Sequence, residues 1–121
     1  MSSVGIYVPC YNVGKYIGEM ISSLTSQTFG NFEVVVLDDC SNDDTFNIAK
    51  EYVKQDDSRF NFFRREEHCG RIGQVKNEAI SKFKKEHKYI CHVGSDDKIP
   101  EYCLETFVNY MDKNPEIGVC C

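Results

Sequence analysis

The apolar residues of this chain follow two alternating patterns, short continuous runs and a spacing of three or four residues. The short runs predict strands at 4–9, 32–37, 60–63, 89–93 and 117–121. The wider spacing between them predicts helices that begin near Val13, Ser41, Ile72 and Pro100. Because strands and helices alternate, we expect an α/β fold in which a mainly parallel sheet lies between two layers of helices.

Each predicted helix carries one apolar face, which we expect to pack on the sheet. These faces comprise Val13, Tyr16, Ile17, Met20, Ile21 and Leu24, then Phe46, Ala49, Tyr52 and Val53, then Ile72, Val75, Ala79, Ile80 and Phe83, and finally Leu104, Phe107, Val108 and Met111. Polar residues at 41–44 offer oxygens that can cap the second helix, and Pro100 suits the first turn of the fourth helix. The run at 32–37 is almost wholly apolar, which predicts a strand covered on both faces.

Composition and charge narrow the classes of partner. The 121 residues are 41% hydrophobic and 27% charged, as in an ordinary globular protein, and the net charge is −5. Nucleic acid is not an expected partner, because phosphate backbones need concentrated positive charge. The sequence shows no signal peptide and no membrane-spanning stretch. Seven cysteines without CxxC spacing indicate reduced thiols and a cytoplasmic location; the cytoplasmic face of a membrane is the alternative for a longer form of the protein.

Two pairs of adjacent aspartates stand where predicted strands end. Asp38 and Asp39 follow the second strand, and Asp96 and Asp97 follow the fourth. The carboxyl ends of parallel strands meet in one crevice, where such folds bind ligands. Adjacent carboxylates repel each other unless a positive or hydrogen-bonding group compensates. The four carboxylates therefore predict a metal and a polar ligand in that crevice.

Three motifs at strand ends resemble those of the family 2 glycosyltransferases, which have the GT-A fold. They are Val8-Pro9-Cys10-Tyr11-Asn12, Leu37-Asp38-Asp39-Cys40-Ser41-Asn42-Asp43 and Ser95-Asp96-Asp97. Each motif alone is weak, but the three occur in the family's order and spacing. The resemblance covers essentially the whole chain and corresponds to the Rossmann-like, nucleotide-binding half of a family domain. It implies a single domain over 1–121, the N-terminal donor-binding part of a longer glycosyltransferase.

The resemblance also implies how the first two motifs bind a nucleoside diphosphate sugar. Pro9, Tyr11 and Asn12 match the loop that lies against the base and ribose of the donor. Asp39 matches the carboxylate that accepts a hydrogen bond from the base, typically from uracil N3–H, and Asp38 supports the turn. A uridine or thymidine donor is therefore favoured, although the sequence leaves UDP, GDP and dTDP sugars open.

The second aspartate pair matches the family's DxD-like motif, which binds ribose and a divalent metal. Asp97 is the first choice for a ligand of Mg²⁺ or Mn²⁺, with Asp96 beside it. Such an ion neutralises charge on the diphosphate leaving group and is itself held by oxygen atoms. Two residues depart from the family pattern. Gly94 stands where many relatives have aspartate, and Cys40 replaces a common glycine, where a left-handed backbone would be strained.

Positive charge is expected from the segment between the third and fourth strands. Arg71 resembles the family position that approaches the base or the diphosphate. Lys76 stands where many relatives carry arginine, and lysine lacks the bidentate reach of arginine. The resemblance implies inverting transfer to a hydroxyl of a glycan, a lipid or another acceptor. The general base of that reaction is expected beyond the position of residue 121, so no base is assigned.

Plainer interpretations exist for the same residues. Either aspartate pair could serve only the helix that follows it, and Pro9 and Asn12 could be turn residues. Tyr11 could be a packing residue, and Arg71 a solvated loop charge. The alternative function is a non-catalytic nucleotide-sugar-binding module or an inactive fragment.

Three other classes are disfavoured. A sugar nucleotidyltransferase would carry a glycine-rich loop after the first strand. A phosphoacceptor receiver domain would carry its acidic pair there. His68-Cys69 with Cys91-His92 is a weak zinc set, since neighbouring side chains in a strand point to opposite faces.

Overall fold

The computed structural model describes residues 2–120, which form one four-stranded sheet and four helices. The strands are β1 (Val4–Cys10), β2 (Phe32–Asp38), β3 (Phe60–Arg64) and β4 (Tyr89–His92). The helices are α1 (Ile17–Thr25), α2 (Thr45–Glu51), α3 (Ile72–Ser81) and α4 (Cys103–Lys113). The strand order is β3-β2-β1-β4, and every neighbouring pair is parallel. The predicted α/β fold with a parallel sheet is therefore confirmed.

Strand β2 is buried on both faces, as its continuous apolar run predicts. Val34 and Val36 pack into the main core with residues of α1, α2 and α4. Val35 and Leu37 point the other way and pack against α3. The sheet therefore lies between two helical layers. Each fully buried side chain of this size contributes about 1.5–3 kcal/mol through removal of apolar surface from water.

The helices bury a narrower set of residues than their apolar spacing predicts. The buried apolar residues are Ile17, Met20, Ile21, Leu24, Ala49, Val75, Ala79, Leu104 and Val108. Predicted core residues that are at least 37% exposed are Tyr16, Tyr52, Ile72, Ile80 and Phe107. Tyr16 precedes α1 and Tyr52 follows α2, so both lie outside the helical turns that face the sheet. Tyr52 instead covers Gly18, where an added Cβ would meet the tyrosine ring at 2.4 Å.

Helix α2 begins at Thr45, later than the sequence predicts, and its N-cap residue Asp44 makes no side-chain capping hydrogen bond. Asp43 Oδ1 instead accepts a hydrogen bond from the Thr45 N–H at 3.0 Å. Ser41 and Asn42 make other contacts, because their polar groups bind the loops around them. Pro100 likewise lies in the turn before α4, which begins only at Cys103. In both places the helix begins after the polar or proline residue that was expected to start it.

The predicted fifth strand does not form within residues 117–120, and Cys121 lies outside the described residues. A strand needs a neighbour for its hydrogen bonds, and these residues pair with none of the four strands described. Val119 is 80% exposed. Gly118, Val119 and Cys120 instead line one side of a cavity of about 790 Å³ along β4 and α4. None of the helices described is both long and apolar enough to span a membrane.

Candidate functional site

The candidate site lies at the carboxyl ends of β1, β2 and β4. From β1 the chain proceeds to β2 and β3 on one side of the sheet, whereas β4 joins β1 on the other side. This change of direction creates the crevice in which open α/β sheets bind ligands. Strands β2 and β4 flank β1, so the two strands that precede the aspartate pairs lie about two strand spacings, roughly 10 Å, apart.

Asp38 is almost wholly buried beneath the β2–α2 turn, with 1% of its side chain exposed. Its carboxylate accepts hydrogen bonds from the backbone N–H and the hydroxyl of Ser41. Arg64 at the end of β3 places its Nε 3.5 Å from Asp38 Oδ2 and donates through Nη2 to the Ser41 carbonyl at 3.0 Å. Asp38 therefore connects the end of β2 to its following turn and to β3.

Four groups lie within 3.2 Å of the Asp39 carboxylate oxygens. The backbone N–H of Cys69 donates to Oδ1 at 2.9 Å, and that of Gly70 donates to Oδ2 at 3.1 Å. Arg65 Nε lies 3.2 Å from Oδ1 but donates to the Glu67 carbonyl, and His68 Nδ1 lies 2.9 Å from Oδ2 and 3.1 Å from the Asp39 carbonyl oxygen. These four groups cover both carboxylate oxygens.

The first loop is fastened to the β2–α2 loop by a series of hydrogen bonds. Backbone N–H groups donate to side-chain oxygens in three pairs: Asn12 to Ser41, Val13 to Thr45, and Gly14 to Asp43. In return, Asn12 Oδ1 accepts from the Asn42 N–H at 2.7 Å. Asn12 and Cys40 both have left-handed backbones, with φ of 53° and 60°. The strain expected at Cys40 is therefore present.

The pKa of Asp43 reports the strength of this fastening. Burial raises the pKa, but hydrogen bonds from Thr45 and the Gly14 N–H outweigh that effect and lower it. Asp43 is therefore ionised at neutral pH, when it holds the first loop.

Tyr11 is partly exposed above the crevice and forms an aromatic stack with His68. The ring centroids are 4.1 Å apart and the planes are inclined by 27°. Asn42 Nδ2 donates to the Tyr11 hydroxyl at 3.3 Å. Pro9 lies lower, buried in β1 opposite Leu37 and beyond the stretch of β1 that pairs with β4. Of the three residues predicted from this motif, Tyr11 therefore presents a ring to the crevice and Pro9 does not.

Asp96 and Asp97 lie in an exposed turn after β4. The turn is closed by a hydrogen bond from the Asp97 N–H to the Gly94 carbonyl at 3.0 Å. Neither carboxylate receives a hydrogen bond or ion pair from residues 2–120. An added Cβ on Gly94 would lie 2.4 Å from Asp97 Oδ2. A side chain there would therefore displace the Asp97 carboxylate from its present position.

The two predicted basic residues lie in different surroundings. Arg71 is exposed at the residue before α3, and its side chain contacts no acidic group among residues 2–120. Lys76 is half-buried one turn further along α3. Burial and then the charge of Lys76 lower the pKa of His92, while Asp97 raises it. The charges of Lys76 and Asp97 thus both affect the pKa of His92, at the β4 end of the crevice.

Two arginines and one histidine at the site were not predicted from the sequence. Arg64 and Arg65 end β3 and contact Asp38 and Asp39. The rule that pointed to the aspartates, polar residues where a strand ends, also applies to this arginine pair and would have found it. His68 gave no such signal, because its contacts with Tyr11 and Asp39 come from distant parts of the chain.

Cys10 lies below the aspartates and is not activated as a nucleophile. Burial, followed by the negative charges of Asp38, Asp43 and Asp39, raises the pKa of its thiol far above the ordinary range. A thiol in this state does not supply the thiolate that covalent catalysis requires. Among residues 2–120, no group of three or more His, Cys, Asp or Glu side chains is arranged to hold a metal ion.

The sequence itself now decides the family. Residues 5–121 match the profile of glycosyl transferase family 2. The chain belongs to this family. Its family 2 relatives include the glycosyltransferase GlyG of Streptococcus pneumoniae, which is 37% identical over 117 residues, covering 96% of this chain and 38% of GlyG. A second relative is the poly(ribitol-phosphate) beta-N-acetylglucosaminyltransferase TarS of Staphylococcus aureus, 34% identical over 94% of this chain and 20% of TarS.

Solved structures of glycosyltransferases have the same fold. The structure of TarS residues 1–349 in complex with UDP matches with a TM-score of 0.83 and 33% identity, covering 95% of this chain and 33% of that one. TarS has also been solved with UDP-GlcNAc. A mannosyltransferase from Pyrobaculum calidifontis, solved with GDP-Man and Mn²⁺, matches with a TM-score of 0.78 at 21% identity, a likeness of fold alone. The chain thus spans well under half the length of these relatives.

Proposed function

We propose that this protein takes part in inverting transfer of a sugar from a nucleoside diphosphate sugar, preferably a UDP-sugar, to an acceptor hydroxyl. The observation that carries the proposal is the pairing of an aromatic ring, Tyr11, with a carboxylate, Asp39, at the ends of adjacent strands. A nucleobase needs such a pair, one surface for stacking and one acceptor for an N–H group. The TarS complexes with UDP and UDP-GlcNAc support a uridine donor.

We assign the remaining residues to other parts of the donor along the crevice. Asn12 and Asp38 hold the loops on which Tyr11 and Asp39 stand, so they act by positioning. The diphosphate would then lie toward the β4 end, where Asp97 and Lys76 both act on His92. Arg71 and Lys76 are the basic side chains we assign to the phosphates, while Pro9 shapes the floor of the site from β1.

A divalent metal fits the exposed aspartate pair. Asp96 and Asp97 offer hard oxygen atoms with no partner among residues 2–120, and Mg²⁺ is often held by one or two carboxylates together with phosphate oxygens. When bound, Mg²⁺ or Mn²⁺ would neutralise charge that develops on the diphosphate. The protein's own part there is to present the two carboxylates on a short turn beside Gly94.

The transfer itself is a single displacement at the anomeric carbon. The acceptor oxygen forms a bond to that carbon as the bond to the diphosphate oxygen breaks, and a general base takes the acceptor's proton. We place the base outside the described residues. The acceptor, a glycan, a lipid or another hydroxyl compound, and a cytoplasmic location belong to the same proposal.

A second candidate is a module that binds a nucleotide sugar without transferring it. The residues described here favour this candidate, because residues 2–120 supply contacts for the donor but include no residue that we assign as the general base. Metal-dependent binding without transfer would identify this function.

Calorimetric titration with UDP and GDP, each with and without Mn²⁺, tests the proposal. We expect UDP to bind more tightly than GDP and more tightly with Mn²⁺. The variant Asp97→Ala should lose the gain from Mn²⁺, whereas Asp56→Ala, which removes an exposed carboxylate elsewhere, should keep it. A folded protein that binds neither nucleotide would contradict the proposed function.

A further inference from the structure

The groups around Asp39 present a conflict with the proposed function, on which this inference rests. A base that donates an N–H to Asp39 must reach one of its carboxylate oxygens. Both oxygens are covered by Cys69, Gly70, Arg65 and His68, which lie within 3.2 Å of them. One of these groups must therefore move when a nucleotide binds.

His68 is the group most able to move. The N–H groups of Cys69 and Gly70 belong to the backbone, and Gly70 has a left-handed conformation with φ of 70° that fixes the turn. Arg65 is anchored a second time by Glu78. The His68 side chain is 45% exposed, against 25% for Arg65, and rotation of this one side chain frees Asp39 Oδ2.

His68 also makes the two contacts that a base would make. Its ring stacks on Tyr11 at 4.1 Å, and its Nδ1 lies 2.9 Å from Asp39 Oδ2. The same nitrogen is 3.1 Å from the Asp39 carbonyl oxygen. Since both neighbours are acceptors, Nδ1 carries a proton and donates it. We propose that His68 occupies the nucleobase position in the nucleotide-free protein and is displaced from Tyr11 and Asp39 when the donor binds.

This arrangement makes donor binding a competition between the base and the His68 ring. The ring must give up its stacking on Tyr11 and its contact with Asp39 before a base can make both contacts. Removal of the ring should therefore strengthen donor binding.

The test is calorimetric titration of the 121-residue protein and its variants with UDP-GlcNAc. His68→Ala removes the competing ring and should bind at least about threefold more tightly than wild type.

Two further variants sharpen the test. His68→Asn keeps an N–H donor but removes the ring, and its affinity should lie between those of wild type and His68→Ala. Asp56→Asn changes an exposed residue before β3, away from the crevice, and should bind UDP-GlcNAc as wild type does. In parallel, the NMR signals of the His68 ring should lose the shift caused by stacking on Tyr11 when UDP-GlcNAc saturates the protein.

The outcomes separate this inference from the proposed function. UDP-GlcNAc binding that is unchanged or weaker in His68→Ala would overturn the displacement of His68 while donor binding stands. An unmoved His68 ring signal at saturation would do the same. Failure of the folded wild type and of every variant to bind would overturn the donor site itself, and the role of His68 with it.

Discussion

The two aspartate pairs have the same sequence and the same place at a strand end, yet their surroundings differ. Asp38 and Asp39 are 1% and 6% exposed, and both carboxylates are bound by arginine and backbone groups. Asp96 and Asp97 are exposed and have no such partner within residues 2–120. The first pair is thus organised before any ligand arrives, whereas the second offers its oxygens to one.

The neighbouring strands explain the difference. β2 lies between β1 and β3, so the arginines at the end of β3 and the N–H groups of the following loop reach its aspartates. β4 pairs only with β1 among the strands described, so within residues 2–120 no strand with arginines at its end lies on its far side. An identical dipeptide therefore becomes a fixed hydrogen-bond acceptor in one place and a candidate metal ligand in the other.

The largest effect is expected for Asp39→Asn. An amide offers one oxygen where the carboxylate accepts two backbone N–H groups and lies beside Arg65 and His68, and its own NH₂ would then face donors. UDP affinity should fall roughly 10- to 100-fold, and the free energy of unfolding by about 1–3 kcal/mol. Calorimetry and urea denaturation measure the two. Asp56→Asn, which changes the net charge equally on an exposed segment, should alter neither; unchanged binding by Asp39→Asn would place the base elsewhere.

Asp38→Asn should affect stability more than binding. The Ser41 N–H and hydroxyl and the Arg64 guanidinium would lose a buried charged acceptor, at a cost of about 1–2 kcal/mol in urea denaturation. UDP affinity should change less than in Asp39→Asn, because Asp38 lies beneath the turn. The reverse order of affinities would show that Asp38 faces the base.

Asp97→Asn should affect metal-dependent binding more than stability. Unfolding free energy should stay within about 0.5 kcal/mol of wild type, since the carboxylate has no partner among residues 2–120. The gain in UDP affinity on adding Mn²⁺ should disappear, as measured by calorimetry with and without the ion. Destabilisation comparable to that of Asp38→Asn would mean that the two pairs are not as different as their contacts indicate.

Gly94→Ala tests the exposed pair, Asp96 and Asp97, through a neighbouring residue. The new methyl group would meet Asp97 Oδ2 at 2.4 Å, so the carboxylate must rotate. The Mn²⁺-dependent gain should shrink several-fold, with a stability loss below about 1 kcal/mol. Gly118→Ala is the control, because nothing lies within 4 Å of an added Cβ there. Equal effects of the two variants would argue against a role for the Asp97 position.

The smallest effect is expected at Asp112, which shows that exposure alone does not distinguish the pairs. This exposed carboxylate has three partners, and hydrogen bonds from Tyr89, Ser2 and Lys88 lower its pKa to about 2. The stability that it adds is present above the ordinary carboxyl pKa and is lost as the pH falls through about 2. Asp112→Asn should therefore lower the urea midpoint near pH 6 and match wild type near pH 2; an equal deficit at both pH values would contradict the shift.

The sequence predicted the strands and the sheet well, because an apolar run such as 32–37 can be buried in few ways. It predicted the helix ends poorly: Tyr52 fits the helical spacing but follows the last turn of α2. At the site, Asp38 and Asp39 could be found from their place after a strand. The stacking of His68 on Tyr11 could not, because it depends on how two loops from different strands meet in space.

The position of β1 between β2 and β4 has a consequence for how the chain acquires its structure. Val4 pairs with both Phe32 and Tyr89. Of the four strands described, β1 is therefore synthesised before the others, but its hydrogen bonds are complete only after β4 has been synthesised. At a synthesis rate of roughly 5–20 residues per second, that delay is on the order of seconds or longer. Pairing across such sequence separation slows folding. We therefore expect the crevice to assemble late, after β1, β2 and β3 have already associated.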